Sequence, residues 1–206
     1  MVDDFKISVV IPTLNRKSFL KKAIESVLKQ TFSSHEIIVV DNVSSDGTLE
    51  MVNREYPSVK TLVQNIPGVS ATRNLGIKKS EGNWIAFLDS DDQWHQEKLK
   101  SQVESILEDK NKVFLSHTDE TWYREKQIVN QKLKHQKRGG FIFEYCLPLC
   151  CISPSSSLVK KEIFDQIGFF DESLEVCEDY DFWLRYCSKH PVNFVNKKLT
   201  FKYGGH

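Results

Sequence analysis

Short runs of apolar residues alternate, in the first half of the chain, with segments whose apolar residues recur every three or four positions. The runs are rich in β-branched side chains, which is typical of strands buried on both faces of a sheet. The segments between them have the spacing of amphipathic helices. Strands alternating with helices predict an α/β fold with a mostly parallel central sheet and helices on both faces. The predicted strands are Lys6–Ile11, Glu36–Val40, Val59–Val63 and Ile85–Leu88.

The second half of the chain is less regular. A helix is predicted from about His95 to Asp109, and the lysine-rich stretch from Asp119 to Arg138 is interpreted as a hairpin or a mobile excursion. Neither a repeat nor a low-complexity linker interrupts the 206 residues, a length that suits one domain. The remaining predicted strands are Val113–Ser116, Ser155–Val159, Val192–Val195 and Leu199–Tyr203, and the remaining helices are Phe141–Leu149, Lys160–Gln166 and Glu178–Ser188.

Polar residues follow three of the predicted strands directly: Pro12-Thr13, Asp41 and Asp89-Ser90-Asp91. In parallel α/β sheets, ligands bind beyond the carboxyl ends of the strands. We therefore expect these residues to lie together in one crevice.

The segment Asp89-Ser90-Asp91-Asp92 places three carboxylates at the end of a buried strand, which is costly unless cations balance them. If the chain stays extended, Asp89 and Asp91 point to the same side and bind one ion. Their oxygen ligands would suit Mg²⁺ or Mn²⁺ better than Zn²⁺. The alternative is an acidic turn that caps the following helix, and this segment alone favours neither.

Other candidate residues also have structural explanations. Asp41 could cap a turn or accept hydrogen bonds from a nucleotide base or ribose. Arg16 and Arg73 adjoin the predicted crevice, where a guanidinium suits phosphate. The chain contains neither G-x-G-x-x-G nor G-x-x-x-x-G-K-[ST], which disfavours a dinucleotide fold and a P-loop enzyme.

A second acidic cluster, Glu178 to Asp181, begins a predicted helix with an aromatic stripe. Acidic residues in a first turn favour the helix dipole, which is the structural explanation. A carboxylate beside an apolar wall can also have a raised pKa and act as a general base toward a sugar hydroxyl.

Composition excludes some partners and compartments. Lysine plus arginine equals aspartate plus glutamate, at 28 each, so the overall charge does not favour nucleic acid. The five cysteines show no zinc-ligand spacing and suit free thiols in the cytoplasm. Neither a secretory signal nor an apolar run of membrane-spanning length is evident. We expect a cytoplasmic protein, with association at the inner face of the membrane still open.

The motifs together resemble the family 2 glycosyltransferases of the GT-A fold, over nearly the whole chain. The resemblance rests on an ordered set, each member of which is weak or moderate alone. The set is Val9-Val10-Ile11-Pro12-Thr13-x-Asn15-Arg16, Val39-Val40-Asp41-x-x-Ser44-x-Asp46-Gly47-Thr48, Arg73-Asn74-x-Gly76, Phe87-Leu88-Asp89-Ser90-Asp91-Asp92, Phe169-x-Asp171-Glu172 and Glu178-Asp179-x-Asp181-x-Trp183-x-Arg185.

The resemblance implies an inverting transfer of a sugar from a nucleotide-diphospho-sugar, most simply a UDP-sugar, to a saccharide or glycolipid hydroxyl. It implies that Asp179 is the catalytic base. It implies a divalent cation, Mn²⁺ or Mg²⁺, held by Asp91 with Asp89, and similarity of His206 to a late histidine that joins the metal site. The nucleotide-sugar-binding residues that it implies are Pro12, Thr13, Arg16, Asp41, Ser44, Asp46, Arg73, Asn74, Asp89 and Ser90.

The resemblance also implies a division of labour within one catalytic domain, 1–206. Residues 1–118 would bind the nucleotide-sugar, and residues 119–206 would supply the acceptor side and the base. Because family members often continue further, we expect an acceptor-binding tail to be missing from these residues. Two alternatives remain, namely a sugar nucleotidyltransferase and a non-catalytic nucleotide-sugar-binding module.

Overall fold

The computed structural model describes residues 4–111, 113–125 and 127–203, and within them the chain folds as the predicted α/β structure. The predicted His206 lies outside the described residues. The strands are β1 (Ile7–Thr13), β2 (Glu36–Asp41), β3 (Lys60–Val63), β4 (Trp84–Phe87), β5 (Gln93–Trp94), β6 (Leu115–Arg124), β7 (Gln127–Val129), β8 (Ser157–Lys160) and β9 (Asn193–Lys202). The helices are α1 (Lys17–Leu28), α2 (Thr48–Glu55), α3 (Val69–Lys79), α4 (Lys98–Glu108), α5 (Phe143–Cys146), α6 (Ile163–Ile167) and α7 (Glu178–Cys187).

The first half of the sheet is parallel, as the sequence predicts. Its strand order is β3-β2-β1-β4, with β1 between β2 and β4. In this register Thr13 pairs with Asp41, so the ends of β1 and β2 lie side by side. The polar residues that follow these strands therefore meet at one edge, which is the expected position for a ligand crevice.

The second half continues the same sheet in the order β8-β6-β9-β5, and β7 pairs with β6. Strand β8 runs antiparallel to both β4 and β6, which makes β6 point in the same direction as β4. The carboxyl-terminal part of β6 therefore reaches the edge where Asp89 follows β4. Strand β9 is parallel to β6 and returns the chain to that edge.

Several element boundaries differ from the sequence prediction. Strand β1 runs through Pro12 to Thr13, because its pairing with β2 continues to Thr13, whereas its pairing with β4 ends at Val10. Helix α4 begins at Lys98 instead of His95. The two predicted final strands are one strand, β9, whose pairing with β6 shifts register near Asp119, so the polar stretch 196–198 stays in the sheet. The predicted hairpin after Asp119 is present as β6 and β7.

Apolar residues pack on both faces of the sheet. Successive residues of β1 point to opposite faces, so Val10 belongs to one core and Val9 and Ile11 to the other. Helices α3 and α7 cover the first face, and α1 and α4 cover the second. None of the helices in the described residues is long and apolar enough to cross a membrane.

Helix α3 lies close to the sheet because Gly76 faces it. A Cβ at this position would overlap a methyl group of Val10 and approach one of Val40 at 3.2 Å. The close approach matters for the crevice, because the same helix carries Arg73 and Asn74, which are buried.

The substitution Gly76→Ala should therefore destabilise the protein. Alanine would gain up to ~1 kcal/mol of helix propensity, but overpacking a buried position costs about 1–3 kcal/mol, so we expect a net loss. Urea unfolding measures it. Lys79→Ala, at an exposed position of the same helix, is the control and should change the free energy of unfolding by less than about 0.5 kcal/mol. A Gly76→Ala protein as stable as the control would show that the close approach does not constrain the helix.

Candidate active site

A cavity of about 400 Å³ opens at the carboxyl ends of β1 and β4. Seven of the residues predicted to bind nucleotide-sugar or metal line it, so the structure brings them together. Its lining residues are Pro12, Thr13, Leu14, Arg16, Asn42, Gly68, Val69, Thr72, Arg73, Asp89, Ser90 and Asp91. The hydroxyl of Thr13 is buried and has no hydrogen-bond partner in the structure, which leaves it available to a ligand.

Three predicted residues do not line this cavity but hold the loops beside it: Asp41, Ser44 and Asp46. The carboxylate of Asp41 is fully buried and accepts hydrogen bonds from the backbone N–H and hydroxyl of Ser44. Asp46 accepts hydrogen bonds from Thr48 and from the backbone N–H of Lys17. These contacts fix the two loops that follow β1 and β2. Asn42, which the sequence analysis missed, lines the cavity itself.

Arg73 joins the two acidic clusters of the sequence. Its guanidinium donates to Asp89 at 2.8 Å and to Glu178 at 2.5 Å, and its side chain is only 4% exposed. Burial alone would raise the pKa of Asp89, but Arg73 and Lys202 hold it below its usual value. The arginine therefore neutralises one carboxylate after β4 and another at the start of α7. The second of these, Glu178, lies 105 positions from Arg73 along the chain.

Asn74, the next residue of α3, makes structural contacts. Its amide donates to the backbone carbonyl of Phe170 and to the carboxylate of Glu172, each at 2.8 Å, and its side-chain oxygen accepts from the N–H of Phe170. The predicted donor-side role of Asn74 thus has no direct support in this geometry. What Asn74 does is anchor the turn before α7 to α3.

The three carboxylates after β4 have different cationic partners. Asp91 pairs with Arg16 at 2.7 Å, at a partly exposed position. Asp92 is buried and accepts from Lys202 at 2.6 Å and from Ser155 at 2.6 Å. Lys202, on β9, also lies 3.9 Å from Asp89, and these carboxylates raise its pKa above the usual value although burial opposes this. No motif in the sequence points to Lys202.

Among the residues that the structure describes, no group of three histidine, cysteine or acidic side chains could hold a metal ion. Asp89 and Asp92 already have buried cationic partners. Asp91 differs, since its one ion-pair partner within the described ranges is Arg16, whose side chain is 47% exposed and can move away. Its carboxylate therefore fits a divalent cation that receives its other oxygen ligands from elsewhere.

A second cavity, of about 650 Å³, adjoins the first and shares Arg16, Arg73, Asp89 and Asp91 with it. Asp179 lines this cavity from the first turn of α7. Burial raises the pKa of Asp179, and although Arg73 lowers it, the nearby Glu178 and Asp89 add to the increase. A half-buried carboxylate with a raised pKa is suited to accept a proton.

The sequence model described as glycosyl transferase family 2 matches residues 8–168. The chain belongs to this family. Its fold agrees, since the structure matches the S. aureus TarS 1-349 crystal structures with a TM-score of 0.78 at 23% identity, both in complex with UDP and in complex with UDP-GlcNAc. The matches cover 97% and 98% of this chain and 61% and 59% of TarS 1-349. The chain thus has the GT-A fold that its motifs predict.

Two relatives show the range of similarity in sequence. The chain is 32% identical over 202 residues to an uncharacterized glycosyltransferase of Rickettsia conorii, a match that covers 97% of this chain and 33% of that protein. It is 29% identical over 197 residues to UDP-Glc:alpha-D-GlcNAc-diphosphoundecaprenol beta-1,3-glucosyltransferase WfgD of Escherichia coli, which covers 95% of this chain and 75% of WfgD. The chain spans about a third of the length of the Rickettsia conorii protein.

Removing Arg73 should destabilise the protein more than removing an exposed arginine. Arg73→Met would leave Glu178 without its cation and Asp89 with Lys202 at 3.9 Å, and breaking a buried pair typically costs about 3–5 kcal/mol. Because Asp89 is 25% exposed, we expect the lower end of this range. Urea unfolding measures the loss.

Arg54→Met is the control for this prediction, because Arg54 pairs with Glu55 at 2.8 Å but is 70% exposed. It should cost less than about 1 kcal/mol. If Arg73→Met does not fold, Arg73→Lys, which keeps the charge but loses the fork, should still unfold at lower urea than the wild type. Equal losses for the Arg73 and Arg54 variants would contradict the central place of Arg73.

Proposed function

We propose that the chain transfers a sugar from a UDP-sugar to an acceptor hydroxyl with inversion at the anomeric carbon. The observation that carries the proposal is the continuity of two cavities across Arg73 and Asp89, with nucleotide-side residues in one and Asp179 in the other. Membership of glycosyl transferase family 2 supports it. UDP is the preferred nucleotide because WfgD is named for UDP-Glc and TarS was crystallised with UDP and UDP-GlcNAc.

The nucleotide would occupy the smaller cavity. Pro12 and Thr13 would line the nucleoside pocket, and Arg16 would form an ion pair with the diphosphate. Asp41 would recognise the nucleotide base. Because the carboxylate of Asp41 is enclosed by Ser44, its contribution would depend on the loop that Ser44 and Asp46 hold in place. Remaining donor contacts in the proposal come from Arg73, Asn74, Asp89 and Ser90.

A divalent cation, Mn²⁺ or Mg²⁺, would be held by Asp91, with Asp89 and His206 as further predicted ligands. Bound there, such an ion supplies positive charge that stabilises a leaving diphosphate. The partly exposed pairing of Asp91 with Arg16 supports this role, because the arginine can exchange its carboxylate for a donor phosphate.

In the transfer step, the acceptor oxygen would form a bond to the anomeric carbon while the bond from that carbon to the diphosphate oxygen breaks. The electron pair leaves with the diphosphate, and the acceptor proton passes to Asp179. One displacement from the opposite face inverts the configuration. The raised pKa of Asp179 supports its role as the base.

The acceptor is proposed to be a saccharide or a glycolipid. WfgD is named for a diphosphoundecaprenol-linked acceptor. This name supports a lipid-linked sugar as the acceptor of this chain and a reaction at the inner face of the membrane. The segment that leads to Leu149, a lining residue of the larger cavity, carries exposed apolar side chains, among them Phe141 at 77% and Leu147 at 55%, which suit contact with a lipid surface. Residues 1–118 would form the donor half of a single catalytic domain, and residues 119–206 the acceptor half.

The two alternatives make different predictions. A sugar nucleotidyltransferase would form or cleave the nucleotide diphosphate bond, so sugar 1-phosphate and UTP would be its substrates. A non-catalytic module would bind UDP-sugar without releasing UDP. The position of Asp179 in the cavity favours a transferase over both, because neither alternative needs a base there.

Asp179→Asn should lower UDP release from UDP-Glc or UDP-GlcNAc by about 10²–10⁴-fold, the usual contribution of a general base. Affinity for UDP should stay unchanged, because Asp179 does not line the nucleotide cavity. In the wild type, the base must be unprotonated, so activity should rise with pH through a pKa above the ordinary range for aspartate. A coupled assay for UDP and calorimetric titration with UDP measure the two quantities.

Asp181→Asn is the matched control, since Asp181 lies in the same helical turn but pairs with Arg185 at 2.8 Å. It should retain most of the activity. Wild-type turnover in Asp179→Asn, or an equal loss in both variants, would be inconsistent with Asp179 as the base.

Manganese should increase the affinity for UDP at least about tenfold, which corresponds to ~1.4 kcal/mol. Asp91→Asn should remove this increase, because Asp91 is the carboxylate with an exchangeable partner. Calorimetric titrations of UDP with and without Mn²⁺ test both statements. Equal affinities under the two conditions in the wild type would exclude the proposed metal role.

A further inference from the structure

The far wall of the larger cavity contains a cluster that the proposed reaction does not use. Glu120 and Trp122 are two positions apart on β6, so both side chains lie on the face toward the cavity. Strand pairing places Lys202 directly beside Trp122. His135 and Lys137, from the segment after β7, complete this wall.

Glu120 holds the cluster together. Its buried carboxylate forms an ion pair with Lys137 at 3.1 Å, and it accepts hydrogen bonds from the indole N–H of Trp122 at 2.8 Å and from the hydroxyl of Ser153. Burial would raise the pKa of Glu120, but the ammonium groups of Lys137 and Lys202 and these hydrogen bonds lower it to about 2. The carboxylate is therefore charged at neutral pH and fixes the orientation of the indole.

Trp122 is the cluster member best placed to contact a ligand. It is half-buried, whereas Glu120 is 1% exposed. Besides Glu120, the ring of His135 holds it, at 5.1 Å between centroids. A partly exposed indole held by a buried charged group is a rigid apolar surface beside polar groups, which suits the apolar face and hydroxyl edge of a sugar ring.

Stability alone does not explain this cluster of buried charged groups. Burying an ion pair costs about as much as it returns, and apolar side chains of similar volume often do as well. Here the pair lies at a cavity that also contains Asp89 and Asp179, the groups beside which the proposed chemistry occurs. A recognition role explains why charged groups occupy this wall.

We propose that Trp122 is the platform of a pyranose subsite and that Glu120 is the residue that positions it. The inference rests on the proposed function, because it places a sugar ring in the cavity that contains Asp179. The ring could belong to the donor or to the acceptor saccharide, since both present the same chemistry.

Two measurements distinguish these sources. In the first, calorimetry compares UDP with UDP-Glc and UDP-GlcNAc. In the second, free glucose, galactose and GlcNAc are titrated as acceptors, and the increase in UDP release gives their half-saturating concentrations. If the subsite binds the donor sugar, Trp122→Leu should reduce the affinity for UDP-sugar relative to UDP about tenfold. If it binds the acceptor, the same variant should raise the half-saturating concentration of free sugar about tenfold. The affinity for UDP itself should not change.

Glu120 variants test the positioning role. Glu120→Gln keeps an acceptor for the indole N–H and should retain most of the sugar-dependent effect, whereas Glu120→Leu should lose it to the same extent as Trp122→Leu. Tyr123→Phe is the control, because Tyr123 points to the other face of β6 and stacks on Tyr203 at 4.8 Å. Thermal unfolding of each variant identifies any that fails to fold, and Trp122→Phe, which keeps a ring, then replaces Trp122→Leu.

The outcomes separate this inference from the proposed function. A protein that releases UDP from UDP-sugars, but whose Trp122 and Glu120 variants match the control in both measurements, would overturn the subsite and leave the transferase proposal intact. A loss of UDP affinity in Trp122→Leu would also overturn it, because the effect would not be specific to sugar. Wild-type protein that neither binds nor cleaves UDP-sugars would overturn both.

Discussion

The buried pairing of Arg73 with Asp89 and Glu178 is the interaction on which the arrangement of the site depends. It connects α3, the end of β4 and the start of α7, three elements that the chain order keeps apart. The guanidinium of Arg73 compensates two carboxylates that are costly to bury, with Lys202 also near Asp89. The close contact of Gly76 with the sheet determines where α3 carries that cation. The position of Asp179, one residue after Glu178, follows from the same pairing.

Charge compensation also divides the acidic residues by role. Lys202 neutralises Asp92 and lies near Asp89, so these carboxylates have internal partners. Asp91 pairs instead with Arg16, whose side chain is 47% exposed, so in the proposed function it would exchange that partner when a diphosphate binds. The crevice thus contains two carboxylates with buried cationic partners, Asp89 and Asp92, and one with an exposed partner, Asp91. On the far wall, the Glu120–Lys137 pair repeats the fixed arrangement around Trp122.

The sequence predicts the parallel half of the fold well because continuous apolar runs and helical spacing are local signals. It also predicts which residues meet at the strand ends, since that follows from parallel pairing. It does not predict the partners of those residues. Lys202 and Glu120 lie in strands that the sequence shows as short or polar. Their ion-pair partners, Asp92 for Lys202 and Lys137 for Glu120, come from other segments of the chain. Motif position predicts a donor contact for Asn74, and the sequence does not show that its side chain hydrogen-bonds to Phe170, 96 positions away.

The proposed reaction is a single displacement in which Asp179 accepts the proton and the diphosphate leaves from the opposite face. The most direct test follows the anomeric proton by NMR while the protein cleaves UDP-α-D-glucose in the presence of Mn²⁺. If the displacement inverts the anomeric carbon, β-glucose is released first and the α-anomer appears only later, through mutarotation. Initial release of α-glucose would contradict it.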